Sequence, residues 1–112
     1  MLSFEEAFNP KPVEVPLNGK KFYIRPTPAL EIHLVEEVWD KMWERYESKD
    51  GEQRTKVNKE MLITLLSMLF QTDVTEEDAK ALTTAQLFAL YKEFQKINGI
   101  AGADFTGQTP KG

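Results

Sequence analysis

The single histidine is the first residue with chemistry to test, because imidazole can act as a general base or hold a metal. His33 is followed by Glu36 and Glu37 three and four residues on. In a helix Glu37 lies on the face of His33, so the two can share a hydrogen bond or begin a metal site. Two candidate ligands without a third do not make a metal centre, and an ordinary surface histidine is the simpler interpretation.

The same region carries a run of carboxylates, the residue type used in acid–base catalysis: Glu36, Glu37, Asp40 and Glu44. Lys41 and Arg45 are interleaved with them, which is typical of a salt-bridged exposed helix face. The three serines stand in no nucleophile-elbow pattern, and the sequence has no glycine-rich phosphate loop. We therefore expect a protein that is not an enzyme and has no cofactor and no bound metal.

Large aromatic residues are the more informative set. Trp39 and Trp43 are four residues apart, and Phe88, Tyr91 and Phe94 are three apart, so each set projects from a connected helix surface. The simplest interpretation places all of them in the core. Phe88 and Trp43, however, flank the apolar stripes of their helices. If the core is already filled, they are available to contact a partner protein. Aromatic surfaces rimmed by charge are typical of protein-binding sites, so the pattern favours a binding module, including one that self-associates.

Length and composition narrow the class of protein. A chain of 112 residues forms one domain and can bury roughly two thirds of its unfolded surface. It has no cysteine, which fits a reducing cytoplasm. The formal net charge of -4 leaves no basic face for nucleic acid. The acidic N-terminal residues and the lack of a long apolar run predict no signal peptide and no membrane partner.

The stretch VPLNGKKFYIRP, residues 15 to 26, predicts a tight β-hairpin. Asn18-Gly19 is the dipeptide that most readily takes the two positive φ angles of a type I′ turn. Alternating apolar residues flank it: Val13, Val15, Leu17, Phe22 and Ile24. An isolated two-stranded hairpin is marginal in water, so this one must pack on other elements.

A long helix is predicted after the hairpin, with Thr27 as N-cap and Pro28 at the first helical position. It should run from about residue 28 to 48, with an apolar stripe along one face: Ile32, Val35, Trp39, Met42 and Tyr46. The charged segment 47 to 60 contains Asp50-Gly51 and is predicted to be a solvated connection.

Three further helices are predicted. The first, at about 57 to 71, is apolar almost all round and belongs in the middle of the fold. Capping-box spacings at Thr75 and Thr83 predict a short helix at 76 to 81 and a longer one at 84 to 98, which Asn98-Gly99 ends. The expected fold class is therefore mainly α: a compact four-helix, bundle-like domain with a small N-terminal β-hairpin. Residues 1–12 are expected to be a flexible lead-in, 13–100 the helical domain with its hairpin at 13–25, and 101–112 a disordered tail.

The order of these parts resembles the tail assembly chaperones of long-tailed, siphovirus-type phages and prophages. The hairpin stretch is similar to V-x-L-N-G-K-x-F-x-I-R-P, and here it continues into the helix as VPLNGKKFYIRPTPALEIHLVEEVWDKM. The closing segment ALTTAQLFALYKEFQKINGI is similar to L-T-x-x-Q-L-x-x-L-x-x-x-x-x-x-x-N-G. The resemblance covers about residues 13 to 100.

This resemblance implies a non-catalytic role. Chaperones of this family bind the tape measure protein, a long helical chain with exposed apolar stretches, and keep it soluble while tail tube subunits polymerise around it. The tape measure protein is thus the expected partner, and the tail tube protein is a second candidate. The expected location is the host cytoplasm, with the chaperone absent from the mature virion. Many family members are made in two lengths by a ribosomal frameshift, and Thr109-Pro110-Lys111 can be encoded by a slippery heptamer.

The predicted partner-binding residues are Phe22, Ile24, Trp39, Trp43, Phe88 and Tyr91. We expect Phe22 and Ile24 to cover one end of the long helix while the outer strand of the hairpin offers unpaired backbone groups to a neighbour. The alternative of equal weight is that the hairpin is only a lid over the core.

Two other functions stay open. The first is a small phage-encoded inhibitor or adaptor that binds a host protein. The second is a helix-turn-helix DNA-binding protein, since TEEDAKALTTAQLFALYKEF places a short helix before a longer one. That second helix would present Phe88, Leu90 and Glu93 to the groove with only Lys92 and Lys96 to hold phosphates, which makes it the weaker alternative.

Overall fold

Residues 2–100 are described by a computed structural model, and this part of the chain forms five α-helices and two β-hairpins. In chain order the elements are α1 (Phe4–Phe8), β1 (Val13–Leu17), β2 (Lys20–Ile24), α2 (Ile32–Met42), β3 (Trp43–Glu47), β4 (Gln53–Val57), α3 (Lys59–Phe70), α4 (Glu76–Lys80) and α5 (Thr84–Ile97). A short 3₁₀ turn, Ala29–Glu31, leads into α2. The predicted tail at 101–112 lies outside the described residues.

The first hairpin forms as the sequence predicts. Strands β1 and β2 pair antiparallel from Val13 opposite Ile24 to Leu17 opposite Lys20. Asn18 and Gly19 take φ angles of 55° and 74°, the two positive values that a type I′ turn requires. The hairpin rests on α3, where the Phe22 ring stacks on Phe70 with centroids 4.7 Å apart. Burial of this inner face supplies the support that an isolated hairpin lacks.

The tip of the same hairpin is held by a buried carboxylate on α4. Asp78 is fully buried and accepts hydrogen bonds from the Asn18 side-chain amide at 2.9 Å and the Thr75 backbone N–H at 3.0 Å. The Lys20 ammonium lies 3.0 Å from one carboxylate oxygen and 3.2 Å from the other. One side chain therefore completes the capping box of α4 and fixes the turn of the hairpin.

The expectation of a mainly α, four-helix bundle-like fold is wrong, because a second hairpin occupies residues that were expected to be helix and solvated connection. The fold is mixed, with two antiparallel two-stranded sheets beside the helices. The predicted long helix ends at Met42, where Trp43 turns to extended backbone at φ −87° and ψ 115°. Strands β3 and β4 pair from Trp43 opposite Val57 to Glu47 opposite Gln53.

Cross-strand pairs explain why this polar hairpin forms. Glu44 lies opposite Lys56, and the Lys56 ammonium sits 5.9 Å from the centroid of the Tyr46 ring. Such pairs contribute about 0.2–1 kcal/mol each. Gly51 takes the positive φ of 84° that the turn requires, and the Met42 carbonyl accepts the Asn58 N–H at 2.7 Å at the base. Cross-strand pairs and the turn at Gly51 thus stabilise this second hairpin, although it buries little surface.

The start of the helix at α2 also differs from the prediction. Pro28 takes the N-cap position of the 3₁₀ turn, and Thr27 does not cap it through its side chain. The Thr27 hydroxyl is buried without a hydrogen-bond partner in the described part of the chain, while its backbone N–H donates to the Asn98 side-chain oxygen at 2.8 Å. Thr27 therefore links α2 to the end of α5 instead of starting the helix.

Helix α3 lies at the centre of the core, as its apolar composition predicts. Asn58 caps it through a bond from the Met61 N–H at 2.9 Å, and the predicted capping boxes at Thr75 and Thr83 start α4 and α5. The buried apolar side chains come from the first hairpin, from all helices except α1 and from the loop between α3 and α4: Leu17, Phe22, Ile24, Val35, Met42, Leu62, Leu65, Leu66, Leu69, Phe70, Val74, Ala79, Leu87, Leu90 and Phe94.

The segment before β1 contains α1, which Ser3 and Glu6 start with a complete capping box. Phe4 and Phe8 are 80% and 71% exposed, and their ring centroids are 4.6 Å apart. The flexibility expected for residues 1–12 stays a prediction. Within residues 2–100, every helix is too short or too polar to cross a lipid bilayer.

Candidate functional site

Four of the six predicted partner-binding residues come together in one aromatic cluster: Trp39, Trp43, Phe88 and Tyr91. Trp39 stacks on Tyr91 with centroids 3.8 Å apart and ring planes 9° apart. Trp43 stacks on Phe88 at 5.5 Å and 16°. Trp39 also meets Trp43 and Phe88 edge to face at 5.4 and 5.7 Å. Such ring pairs contribute about 0.5–1.5 kcal/mol beyond burial, so the cluster ties α2 and the base of β3 to α5.

The antiparallel arrangement of α2 and α5 brings the two aromatic sets together. Trp39 lies against Tyr91, and the later Trp43 lies against the earlier Phe88. At the other end of the pair, Asn98 accepts the Thr27 N–H and donates its side-chain amide to the Phe94 carbonyl at 2.8 Å. This clamp and the ring stacks fix the two helices at both ends.

Burial changes stepwise along the rings. Phe94 is fully buried and stacks on Tyr91 at 5.4 Å. Tyr91, Trp39 and Trp43 are partly buried, and Phe88 is 52% exposed. The cluster therefore runs from the core to the surface, where rigid rings backed by packed neighbours can accept apolar side chains with little loss of side-chain entropy.

Carboxylates from α2 lie beside the cluster. Burial, together with the negative charges of Glu36 and Asp40, raises the pKa of Tyr91 to about 12, because each disfavours the ionised phenol. Glu36 and Asp40 are four residues apart and so share one edge of α2. On the α5 side, Lys92 follows Phe88 by four residues and is exposed. The cluster is thus bordered by negative charge on α2 and by a lysine on α5.

Phe22 and Ile24, the other two predicted residues, do not join the cluster. They lie in the core, 7% and 0% exposed, where Phe22 stacks on Phe70. The surface part of the predicted site therefore consists of the four clustered rings. Among the described residues β1 pairs only with β2, so the proposal that its other edge accepts a neighbouring strand stays a prediction.

The residues first considered for catalysis or metal binding are not assembled into a site in the described region. His33, Glu36, Glu37 and Asp40 are all exposed on α2. Residues 2–100 contain no group of three or more metal-ligating side chains placed to hold an ion. The helix-turn-helix alternative also loses a contact residue, because Leu90 is only 6% exposed and packs into the core.

Sequence reasoning missed the role of Asp78 beyond its own helix. Its capping-box spacing predicted the local bond to Thr75, but nothing in the pattern linked it to Asn18 and Lys20, 60 and 58 residues away. The sequence also did not predict which exposed apolar residues lie outside the cluster. Among the large apolar residues of 2–100, those more than two thirds exposed are Phe4, Phe8 and Leu30.

Comparison with known proteins adds no relative to this description. No protein-family model, curated protein or solved structure gives a significant match to the chain. The geometry of the aromatic cluster and the sequence pattern are therefore the features that bear on function.

Proposed function

We propose that this protein is a phage tail assembly chaperone that binds the tape measure protein through the aromatic cluster and does no catalysis. Two lines support the proposal. The sequence resembles such chaperones in its hairpin stretch and in its closing segment. Independently, the cluster offers the kind of surface that takes the apolar stripe of a helix.

The observation that carries the proposal is the position of Phe88. Its ring is 52% exposed although it stacks on Trp43 and meets the edge of Trp39. A large apolar ring that is held in place and still open to water resembles the aromatic anchors that dominate protein interfaces. A long helical client with exposed apolar stretches is the partner that such an anchor serves best.

In this role the protein covers apolar stretches of the tape measure protein until the tail tube encloses them. The tail tube protein is a second candidate partner, since it must replace the chaperone. The work takes place in the host cytoplasm, and the chaperone does not remain in the mature virion. The net charge of -4 favours solubility of the complex.

Co-expression with the tape measure protein of the same phage tests the proposal. The wild-type chain should keep the tape measure protein soluble and co-purify with it, and Phe88→Ser should lose both effects. Leu30→Ser is the matched control, because Leu30 is also an exposed apolar residue, 88% exposed, outside the cluster. Circular dichroism of both variants establishes that they fold.

Failure of the wild-type chain to bind or solubilise the tape measure protein contradicts the proposal. Equal loss in Phe88→Ser and Leu30→Ser contradicts the assignment of the binding site to the cluster. Stoichiometric capture of a host protein, with the tape measure protein left insoluble, favours the inhibitor or adaptor function.

A further inference from the structure

Two carboxylates beside the aromatic cluster form no salt bridge within residues 2–100. Glu36 and Asp40 are exposed on α2, and within residues 2–100 neither takes part in a salt bridge or a side-chain hydrogen bond. Both are near enough to Tyr91 to disfavour its ionised form. An apolar surface with unpaired negative charge along one edge selects the charge of the partner as well as its hydrophobicity.

A small cation held between the rings does not fit this geometry. An aromatic cage needs a gap wide enough for an ammonium group between the ring faces. Trp39 and Tyr91 stack at 3.8 Å, which is van der Waals contact. The rings therefore present their outer faces and edges, and the partner must lie across them.

A second copy of the chain is a poorer match than a basic partner. A second copy brings Glu36 and Asp40 together with Lys92 and Arg45, so it adds no net positive charge to the contact, whereas a basic helix does. Lys92 is the exposed lysine one turn after Phe88 on the α5 edge, and Arg45 follows Trp43 on the same face of β3. The α2 edge of the cluster thus carries two carboxylates, while Lys92 lies on its α5 edge.

We infer that the aromatic cluster binds an amphipathic helix of another protein that carries lysine or arginine along one side of its apolar stripe. This inference rests on the proposed function and names the chemistry of the tape measure segment at the same site. The basic side of the helix lies against Glu36 and Asp40. These two residues are one helical turn apart, a spacing of about 6 Å that matches basic residues four apart on the partner.

The two tryptophans make the test direct. The chain has only two, Trp39 and Trp43, and both belong to the cluster, so tryptophan emission reports on the site alone. The probes are two synthetic helical peptides with the same leucine stripe, one with lysine and one with glutamate along one side. Each is titrated into the full-length chain at low and at high salt.

We expect the lysine peptide to bind roughly tenfold more tightly than the glutamate peptide at low salt, with the preference shrinking at high salt. The double variant Glu36→Gln/Asp40→Asn should weaken binding of the lysine peptide roughly fivefold. The control Glu5→Gln/Glu14→Gln changes net charge equally on α1 and β1, and it should leave the affinity unchanged.

Equal affinity for both peptides, or an equal effect of the two double variants, overturns the inference while leaving the proposed function intact. Dimerisation of the wild-type chain that Phe88→Ser abolishes also overturns it, since a second copy then occupies the surface. If the lysine peptide binds as expected and the tape measure protein is neither bound nor solubilised, the inference holds and the proposed function fails.

Discussion

Replacing Asp78 by asparagine tests how the first hairpin is held to the helices. Three donors converge on the carboxylate: the Asn18 amide, the Thr75 backbone N–H and the Lys20 ammonium. Asparagine has the same shape but one acceptor oxygen, so at least one donor then faces an NH₂ group. A hydrogen bond to a charged acceptor contributes about 1.5–3 kcal/mol.

We expect Asp78→Asn to lower the free energy of unfolding by about 2–3 kcal/mol. The loss is no larger because Asn18 and Lys20 are exposed and can bond to water when the carboxylate is gone. Urea denaturation followed by tryptophan emission measures it, and an unchanged m-value shows that the unfolding transition is comparable. Lys20→Met is the matched control. The Lys20 side chain is 50% exposed, so removal of its charge should cost less than about 1 kcal/mol.

A double-mutant cycle separates the energy of the hydrogen bond between Asn18 and Asp78 from the conformational preference of the turn. Asn18→Gly removes the side chain but keeps a residue that adopts positive φ readily. The coupling between Asn18→Gly and Asp78→Asn should be about 1 kcal/mol. A coupling near zero means that the 2.9 Å contact does not contribute to stability.

The low pKa of Asp78 predicts how the stability of the fold changes with acid pH. Burial by itself would raise the pKa of Asp78, but hydrogen bonds from Asn18, Thr75 and Lys20 outweigh burial and hold the pKa far below its usual range. The unfolded chain therefore binds a proton near pH 4 while the native chain does not, so this stabilisation is lost as pH falls. Between pH 7 and pH 3 the wild-type chain should lose about 1 kcal/mol more than Asp78→Asn.

The reasoning is refuted if Asp78→Asn lies within about 0.5 kcal/mol of the wild-type chain at pH 7, well below the 1.5–3 kcal/mol of one charged hydrogen bond. It is also refuted if wild type and variant lose the same stability between neutral and acid pH. Either result would mean that packing of the inner face, and not Asp78, positions the hairpin.

Three further predictions follow from single contacts. A titration of tyrosinate absorbance should show a step near pH 12, and Tyr91→Phe should remove that step. Because the pKa of Tyr91 is raised in the fold, its contribution to the free energy of unfolding is complete below about pH 10 and is lost as pH rises towards 12. The double variant Glu36→Gln/Asp40→Asn should lower this pKa, since it removes the two nearby negative charges. Phe22→Ala should cost about 3–4 kcal/mol in urea denaturation, since it leaves a cavity beside Phe70; a loss below about 1 kcal/mol would place Phe22 at the surface. Asn58→Ala should cost about 1 kcal/mol in urea denaturation through loss of the α3 cap, and an unchanged stability would show that the cap does not contribute.

Local signals in the sequence predicted local structure well. Asn18-Gly19 correctly predicted the turn of the first hairpin, and the capping boxes at Thr75 and Thr83 correctly predicted the starts of α4 and α5. Gly99 takes a φ of 65° at the end of α5, as a helix stop requires. Residues within a few positions specify the conformation of each of these features, and the bonds from Asn18 and Lys20 to Asp78 then fix the first turn to α4.

The second hairpin was missed because five residues cannot distinguish a helix from a strand. Tyr46 follows Met42 at helical spacing, yet the same segment alternates as a strand with Trp43 and Tyr46 on opposite faces. The choice is made by long-range contacts: Trp43 pairs with Val57 and stacks on Phe88. Local spacing contains no information about either partner.

The candidate site was predictable in composition but not in assembly. Spacing along each helix identified Trp39 with Trp43 and Phe88 with Tyr91 as connected surfaces. Their stacking on each other depends on the antiparallel placement of α2 and α5. Phe22 had the same character in the sequence, but packing against Phe70 places it in the core.

Titration of the full-length chain with purified segments of the tape measure protein tests the central claim most directly, with emission from Trp39 and Trp43 as the readout. The account predicts a saturable change in emission that Phe88→Ser abolishes and Leu30→Ser leaves intact. Segments that bind without changing the emission, or that never bind, would contradict the claim that the aromatic cluster holds the tape measure protein.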